Sequence, residues 1–280
     1  INGPFTFAPD GNPLIGPVKG MTNYWSACAV MAGFSQGGGV GLALANWIVN
    51  GDPGFDVWAM DVSRFGDYAT MGFTNARVRE NYSRRFSIRY PNEELTAGRP
   101  LATTPIYDRL SAAGAQFGAS FGLEMPLWFA PAGVIEEFSW RRSTDFAHVG
   151  KEVQTVRRSV GLADISNFAK YRATGEGATA WLDNILACRL PRPGRMTLAP
   201  MLKEDGRVIG DFSLACLEDG SYLLIGSGLA EDYNTRWFLS HLPDNGCGHY
   251  IRRVGLVRAD HCWSAVTCCS GLPNPCRCQP

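Results

Sequence analysis

The sequence is short of net charge, of lysine, of histidine and of long apolar runs. Lysine plus arginine and aspartate plus glutamate each number 26 in 280 residues, so the formal net charge is zero. A general nucleic-acid binder or a binder of anionic membranes carries a basic excess, so neither partner is expected. No apolar run approaches the ~20 residues of a membrane-spanning helix. Four of the basic residues are lysine and 22 are arginine, a bias that GC-rich coding is enough to produce. Disorder of the whole chain is excluded in turn, since 45% hydrophobic and 19% charged residues suit a packed core. From Ile1 onward no signal or transit segment is visible.

Cysteine is scarce over the first 246 residues, where Cys28, Cys188 and Cys216 stand alone. A disulfide framework would spread its bridges through the fold, so the body reads as reduced and intracellular. The other six cysteines, Cys247, Cys262, Cys268, Cys269, Cys276 and Cys278, crowd into the last 34 residues. Their C-C and C-x-C spacings do not supply the paired ligands of a zinc site, and His249 and His261 do not repair this. No metal is expected.

What is present falls into segments. Residues 1–55 have α/β character. Phe5, Thr6 and Phe7 form a β-prone run that ends in the turn cluster of residues 8–13. Residues 24–30 predict a buried strand. Gly33, Phe34, Ser35, Gln36, Gly37 and Gly38 predict a glycine loop. A helix follows over about 40–49, with Val40, Ala43, Leu44, Trp47 and Ile48 on one face. In such a loop glycine lets backbone N–H groups approach a ligand, and the helix N-terminus adds partial positive charge. A tight turn that packs the helix close to the sheet explains the same residues, and both readings stand.

Residues 56–100 read as a polar, arginine-rich, solvated connector carrying Arg77, Arg79, Arg84, Arg85, Arg89 and Arg99. Residues 101–246 alternate helices and strands as an α+β domain. Helix is expected over 105–113 and an aromatic-rich loop over 122–129. A further helix carries Val149, Val153, Val156 and Val160 and closes at Gly161. A strand over 168–173 and a helix over 178–186 follow. Strands near 196–203, 207–217 and 221–226 are separated by Glu204-Asp205-Gly206 and Glu218-Asp219-Gly220, and a last helix covers 231–242. There is no internal repeat.

Several motifs carry a resemblance. Asn23-Tyr24-Trp25, Gly37-Gly38-Gly39-Val40-Gly41, Gly51-Asp52-Pro53, Arg64-Phe65-Gly66 and Ala97-Gly98-Arg99-Pro100 resemble the end of the flavin domain of the dimethylglycine and sarcosine dehydrogenases. Glu124-Met125-Pro126-Leu127-Trp128-Phe129, Val160-Gly161-Leu162-Ala163-Asp164 and Gly206-Arg207-Val208-Ile209-Gly210-Asp211 resemble the folate-binding half of the same family. That half is similar to the aminomethyltransferase (T-protein) of glycine cleavage. The implied fold is an α/β flavin-domain remnant followed by an α+β aminomethyltransferase-like folate-binding domain. The implied boundaries are 1–55 for the flavin-domain end, 56–100 for the connector and 101–246 for the folate half.

The resemblance implies FAD and tetrahydrofolate as cofactors. Gly33, Phe34, Ser35, Gln36, Gly37 and Gly38 would lie against the flavin, with N–H groups facing the edge that gains negative charge on reduction. Asp211 would be catalytic, holding and polarising the folate amine, with Phe212 and Ser213 lining the folate pocket through their backbone groups. T-proteins usually have two adjacent acids here, and this chain has Gly210-Asp211. The dinucleotide fingerprint of an FAD domain is not found, and no histidine precedes His148, which reads as a surface or cap residue in a loop.

The implied activity is oxidative demethylation of an N-methylated amine of the dimethylglycine or sarcosine type, with the one-carbon unit passed to tetrahydrofolate. An electron-transfer acceptor would be a partner. The chain is expected to be an internal fragment, inactive by itself, from bacterial cytoplasm or eukaryotic mitochondrial matrix. The resemblance stops near residue 246, and a shift of reading frame there would leave 247–280 as an unmatched Cys-rich tail. A stand-alone aminomethyltransferase and a non-catalytic folate-binding or structural module are the alternatives.

Overall fold

The computed structural model describes residues 6–243, with strands at 250–253 and 266–270 described as backbone only. Most of the Cys-rich tail from 247, together with Phe5 of the first β-prone run, lies outside the described residues. The backbone groups into two compact units, residues 1–166 with 262–280, and residues 167–261.

In the first unit, β1 (Leu14–Pro17) and β2 (Trp25–Cys28) form an antiparallel hairpin. Helix α1 (Gly33–Asn50) packs Val40, Ala43 and Trp47 with Ile15 and Val57 into a small core. Gly16 has a φ of +111°, and a Cβ there would stand 2.9 Å from the Trp47 ring, so glycine is required by both conformation and space. The helix closes on Gly51, whose N–H donates to the Trp47 carbonyl from a left-handed conformation.

Here the expectation of a loop over 33–38 is corrected. Those residues are the first turns of α1, and the Ser35 and Gln36 N–H groups both donate to the Ala32 carbonyl. Glycine costs about 1 kcal/mol against alanine inside a helix, but the apolar stripe further along holds α1 in place and its helical ladder runs back through them.

Residues 56–100 are not a solvated connector either. Helix α2 (Met71–Ser83) starts at Thr70, whose hydroxyl accepts from the Phe73 N–H, and it buries Phe73, Arg77 and Asn81. The Asn81 side-chain amide donates to the Pro9 carbonyl at 3.0 Å. Arg64 is also buried and grips Asp10 with two prongs, at 2.7 and 2.9 Å. Polar composition misled because each buried guanidinium has an acid or carbonyl group beside it.

After α3 (Tyr107–Ala112), strands β3 (Ala115–Ser120) and β4 (Leu123–Phe129) pair antiparallel. The aromatic-rich loop expected over 122–129 is therefore a strand. Its register slips between Gln116 and Phe117, where β4 carries one extra residue beside Pro126. Proline is tolerated in a sheet at such a bulge. Helix α4 (Asp145–Arg158) places His148 inside a helix, stacked on the Trp128 ring, rather than in a preceding loop. It stops before Val160, which belongs with Gly161 to β5 (Val160–Asp164).

The second unit begins with β6 (Ala169–Thr174) and α5 (Ala178–Ile185). Strands β7 (Arg195–Leu202), β8 (Val208–Cys216) and β9 (Tyr222–Gly226) and helix α6 (Glu231–Ser240) follow. With β10 (Tyr250–Arg253) they form an antiparallel sheet in the order β10-β6-β9-β8-β7. β11 (Val266–Ser270) pairs instead with β5 of the first unit's own residues. Both helices cover one face of the five-stranded sheet. Tyr171, Phe212, Leu214, Leu224, Trp181, Leu182 and Phe238 make its core. Phe238 meets Tyr171 and Trp181 edge-on at 5.1 and 5.7 Å.

Phe238→Ala should lower unfolding free energy by about 3–5 kcal/mol. Urea titration followed by far-UV circular dichroism measures it, and a loss below about 1 kcal/mol would contradict this core.

Candidate functional site

Side chains alternate across β8, and the alternation decides what each residue can reach. Phe212 is 2% exposed and faces the helices. Asp211 and Ser213 face the other side, opposite Pro200 and Leu198 of β7 in register. Asp211 is exposed, and its carboxylate makes no hydrogen bond among the described residues. On that side Leu198 and Met196 are 76% and 67% exposed, and Ile225 of β9 stands next to Ser213. The arrangement is a carboxylate at the margin of a bare apolar sheet face.

The β8 backbone is also open on one side here. β9 begins to pair at Ser213, so residues 208–212 are laddered to β7 alone. Main-chain groups beside Asp211 are therefore free of sheet partners on the β9 side. The Phe212 side chain is in the core, and only its backbone can face a ligand.

Gly210 explains the missing second acid. Like Phe212 it faces inward, where a Cβ would lie 3.2 Å from the Asn234 side-chain oxygen and 3.3 Å from the Met201 methyl carbon. An acid there would press into the core instead of joining Asp211. Asn234 is 2% exposed and its oxygen has no hydrogen-bond partner among the described residues.

At the start of α1, residues 33–39 are exposed apart from the half-buried Gln36. A Cβ on Gly33, Gly37, Gly38 or Gly39 would meet nothing within 4 Å. None of the four is needed for packing against a described atom. Of the expected N–H donors, those of Ser35 and Gln36 are taken by Ala32, and those from Gly37 on belong to the helix ladder. Gly33 and Phe34 keep theirs outside it.

The first unit also holds a cavity of about 520 Å³ that the sequence did not signal. Its lining includes Arg64, Arg77, Arg99, Glu94, Tyr68 and Leu101. Arg99 holds the buried Glu124 by two bonds, at 2.8 and 2.6 Å, and donates to the Phe117 carbonyl at 2.8 Å. The Glu124 bonds raise the Arg99 pKa against the opposing effect of burial. A usable signal was Glu124 itself, a lone acid within an otherwise apolar strand, which must be paired. Burial lowers the Arg77 pKa, and Glu80 opposes that from 3.9 Å. Glu80 is pushed up by burial. The Ala97 and Thr96 N–H groups, the Thr96 hydroxyl and Arg77 outweigh this and hold it below its ordinary value.

Among the described residues no group of His, Cys, Asp and Glu could hold a metal ion. No helix is long and apolar enough to cross a membrane.

Comparison with known proteins gives two family matches that meet near residue 105, not at the boundary between the two compact units. The family model "GCVT N-terminal domain" matches residues 106–267, so the match runs into the Cys-rich segment. The model "FAD dependent oxidoreductase central domain" matches residues 50–104. Mitochondrial dimethylglycine dehydrogenase of Rattus norvegicus is 35% identical over 256 residues, 91% of this chain and 30% of its own length. The mitochondrial pyruvate dehydrogenase phosphatase regulatory subunit of Mus musculus is 32% identical, over 87% of this chain and 29% of its own. Mitochondrial sarcosine dehydrogenase of Homo sapiens is 28% identical, over 95% of this chain and 31% of its own. The chain thus spans about 30% of the length of the dehydrogenases it matches.

Two outcomes follow from the ion pairs. Arg99→Ala, which strands Glu124 in the interior, should cost about 3–5 kcal/mol in urea unfolding. The Glu80 contribution is complete above its ordinary value of 4.5 and is lost as pH falls through its lower folded value. Melting curves from about pH 5 down to about pH 3 should therefore fall less steeply in Glu80→Gln than in the unaltered chain.

Proposed function

Because the chain belongs to the GCVT N-terminal domain family, we propose that it is part of a flavoenzyme that oxidatively demethylates an N-methylated amine and passes the one-carbon unit to tetrahydrofolate. The observation that carries this reading is Asp211, an exposed and unbonded carboxylate at the margin of a bare apolar face, inside the matched segment. A folate offers a flat ring for the apolar residues and an amine for the carboxylate. When bound it supplies the nitrogen nucleophile that captures the one-carbon unit. Asp211 accepts a proton from that amine or stabilises a neighbouring cation, and the open backbone edge over 208–212 suits the polar rim of a heterocycle. Ser213 stands on the Asp211 side of the strand, and Phe212 contributes its backbone only.

The flavin reading rests on the oxidoreductase match over 50–104 and on the start of α1. Four glycines there carry a helix-propensity cost that no internal packing explains. Bare backbone in that place suits the approach of a partner from outside the described residues. The Gly33 and Phe34 N–H groups, at the positive end of the helix, face such a partner, and negative charge on a reduced flavin edge favours them. A bound flavin supplies the hydride acceptor, and an electron-transfer acceptor would reoxidise it. A bacterial cytoplasm or a mitochondrial matrix suits this reading, the two dehydrogenase relatives being named as mitochondrial.

A second reading is non-catalytic, favoured by the relative named as a regulatory subunit. A stand-alone aminomethyltransferase fits less well, since residues 50–104 match an oxidoreductase domain. Asp211→Asn in the complete protein separates the readings. One-carbon transfer to tetrahydrofolate should fall by about a hundredfold or more, with folate binding by fluorescence titration retained. Absence of flavin absorbance and of turnover of dimethylglycine or sarcosine in the complete protein would remove the enzymatic reading.

A further inference from the structure

Three places in the first unit set a hydroxyl side chain just after a pair of arginines. Arg84 and Arg85 precede Ser87, Arg141 and Arg142 precede Ser143 and Thr144, and Arg157 and Arg158 precede Ser159. A serine or threonine behind such a pair carries the charge pattern that an arginine-directed protein kinase reads through acidic pockets in its substrate groove. The sequence offers these hydroxyls as equals, and the structure separates them.

Thr144 is half-buried and its hydroxyl is used twice. It accepts from the Glu137 N–H at 3.0 Å and donates to the Glu137 carbonyl at 3.3 Å. The hydroxyl of the half-buried Ser143 accepts from the Ser139 N–H at 2.9 Å. Ser159 follows its arginines with no residue between, and the next residue, Val160, is already paired with Ser270 of β11.

Ser87 differs on each count. It is exposed, and its hydroxyl makes no hydrogen bond among the described residues. Phe86 and Ile88 on either side of it are 87% and 82% exposed. The backbone over 84–90 is neither helix nor strand. It is tied by a few bonds, among them Ser87 N–H to the Arg84 carbonyl at 2.9 Å and Tyr90 N–H to the Glu93 carboxylate at 3.0 Å. A segment so lightly held can be drawn out into an enzyme groove at small cost. Arg85 is exposed and lies over the Tyr82 and Phe86 rings, at 3.8 and 4.4 Å from their centroids. Arg84 is half-buried and bound to Glu93.

We propose that Ser87 is a phosphorylation site for an arginine-directed serine kinase, with Arg84 and Arg85 as the recognition charges and Ile88 as the apolar residue read after the acceptor. The kinase supplies a nucleoside triphosphate with its magnesium. The Ser87 oxygen bonds to the γ-phosphorus as the bond from that phosphorus to the β–γ bridging oxygen breaks. The nucleoside diphosphate leaves, and the hydroxyl proton passes to the base of the kinase. The product brings about two negative charges into a turn that carries Arg84, Arg85 and Arg89, and these offset its repulsion by Glu93. The site shares no residue with the flavin and folate positions above and stands whether or not that reading holds.

The full chain is incubated with magnesium ATP and the catalytic subunit of cyclic-AMP-dependent protein kinase. Intact-mass spectrometry counts the phosphoryl groups, and fragmentation of chymotryptic peptides locates them. A single group should appear, on Ser87. Ser87→Ala should lower incorporation by about tenfold or more, and Arg85→Gln should slow it by about tenfold, both with circular dichroism unchanged. No incorporation into the folded chain, incorporation chiefly at Ser143, Thr144 or Ser159, or an undiminished rate in Arg85→Gln would each overturn the proposal.

Discussion

Neighbouring residues of a strand face opposite ways, and in β8 this pleat joins stability to chemistry. Phe212 enters the aromatic core with Tyr171 and Phe238, so Asp211 must face outward. The core fixes the carboxylate more firmly than any bond to the carboxylate could. A one-residue slip of β8 against β7 would expose Phe212 and drive Asp211 into the helices, which the burial of both sets of neighbours forbids. The same pleat makes Gly210 inward-facing, so a single acid is all that this strand can show to a ligand.

The first unit is organised differently. Its hydrophobic core around Trp47 is small, and buried arginines with their acids take up much of the interior beyond it. Such pairs repay their desolvation only when the geometry is good and the remaining hydrogens are satisfied. Arg64 and Arg99 meet that condition, each with a two-pronged acid and a carbonyl partner. Arg77 does not, its nearest acid Glu80 standing 3.9 Å away.

Much of the second unit was legible in the sequence. The Asp-Gly turns at 205–206 and 219–220 and the alternation of β8 and β9 mark strand limits locally, and the structure places β7, β8 and β9 within a residue or two of them. The start of α1 was not legible, because a run of glycines reads locally as a loop, and the apolar stripe that makes it helical lies a full turn later. Strand β4 was hidden by Pro126, which is tolerable only at a bulge set by β3. The buried role of Arg64 was hidden because its partner is distant in sequence. Asp10 is 54 residues from Arg64, and composition cannot register that.

The open edge of β8 has a consequence for handling the protein as well as for chemistry. The unpaired backbone over 208–212 on the β9 side of β8 is a template on which another chain can add. Asp211 is the one charged residue in β8, and its charge discourages such stacking. The residue proposed to meet folate would therefore also keep copies of the chain apart. Neutralising it would cost solubility whatever the residue does in catalysis, and the same edge would be safest when a further segment lay over it.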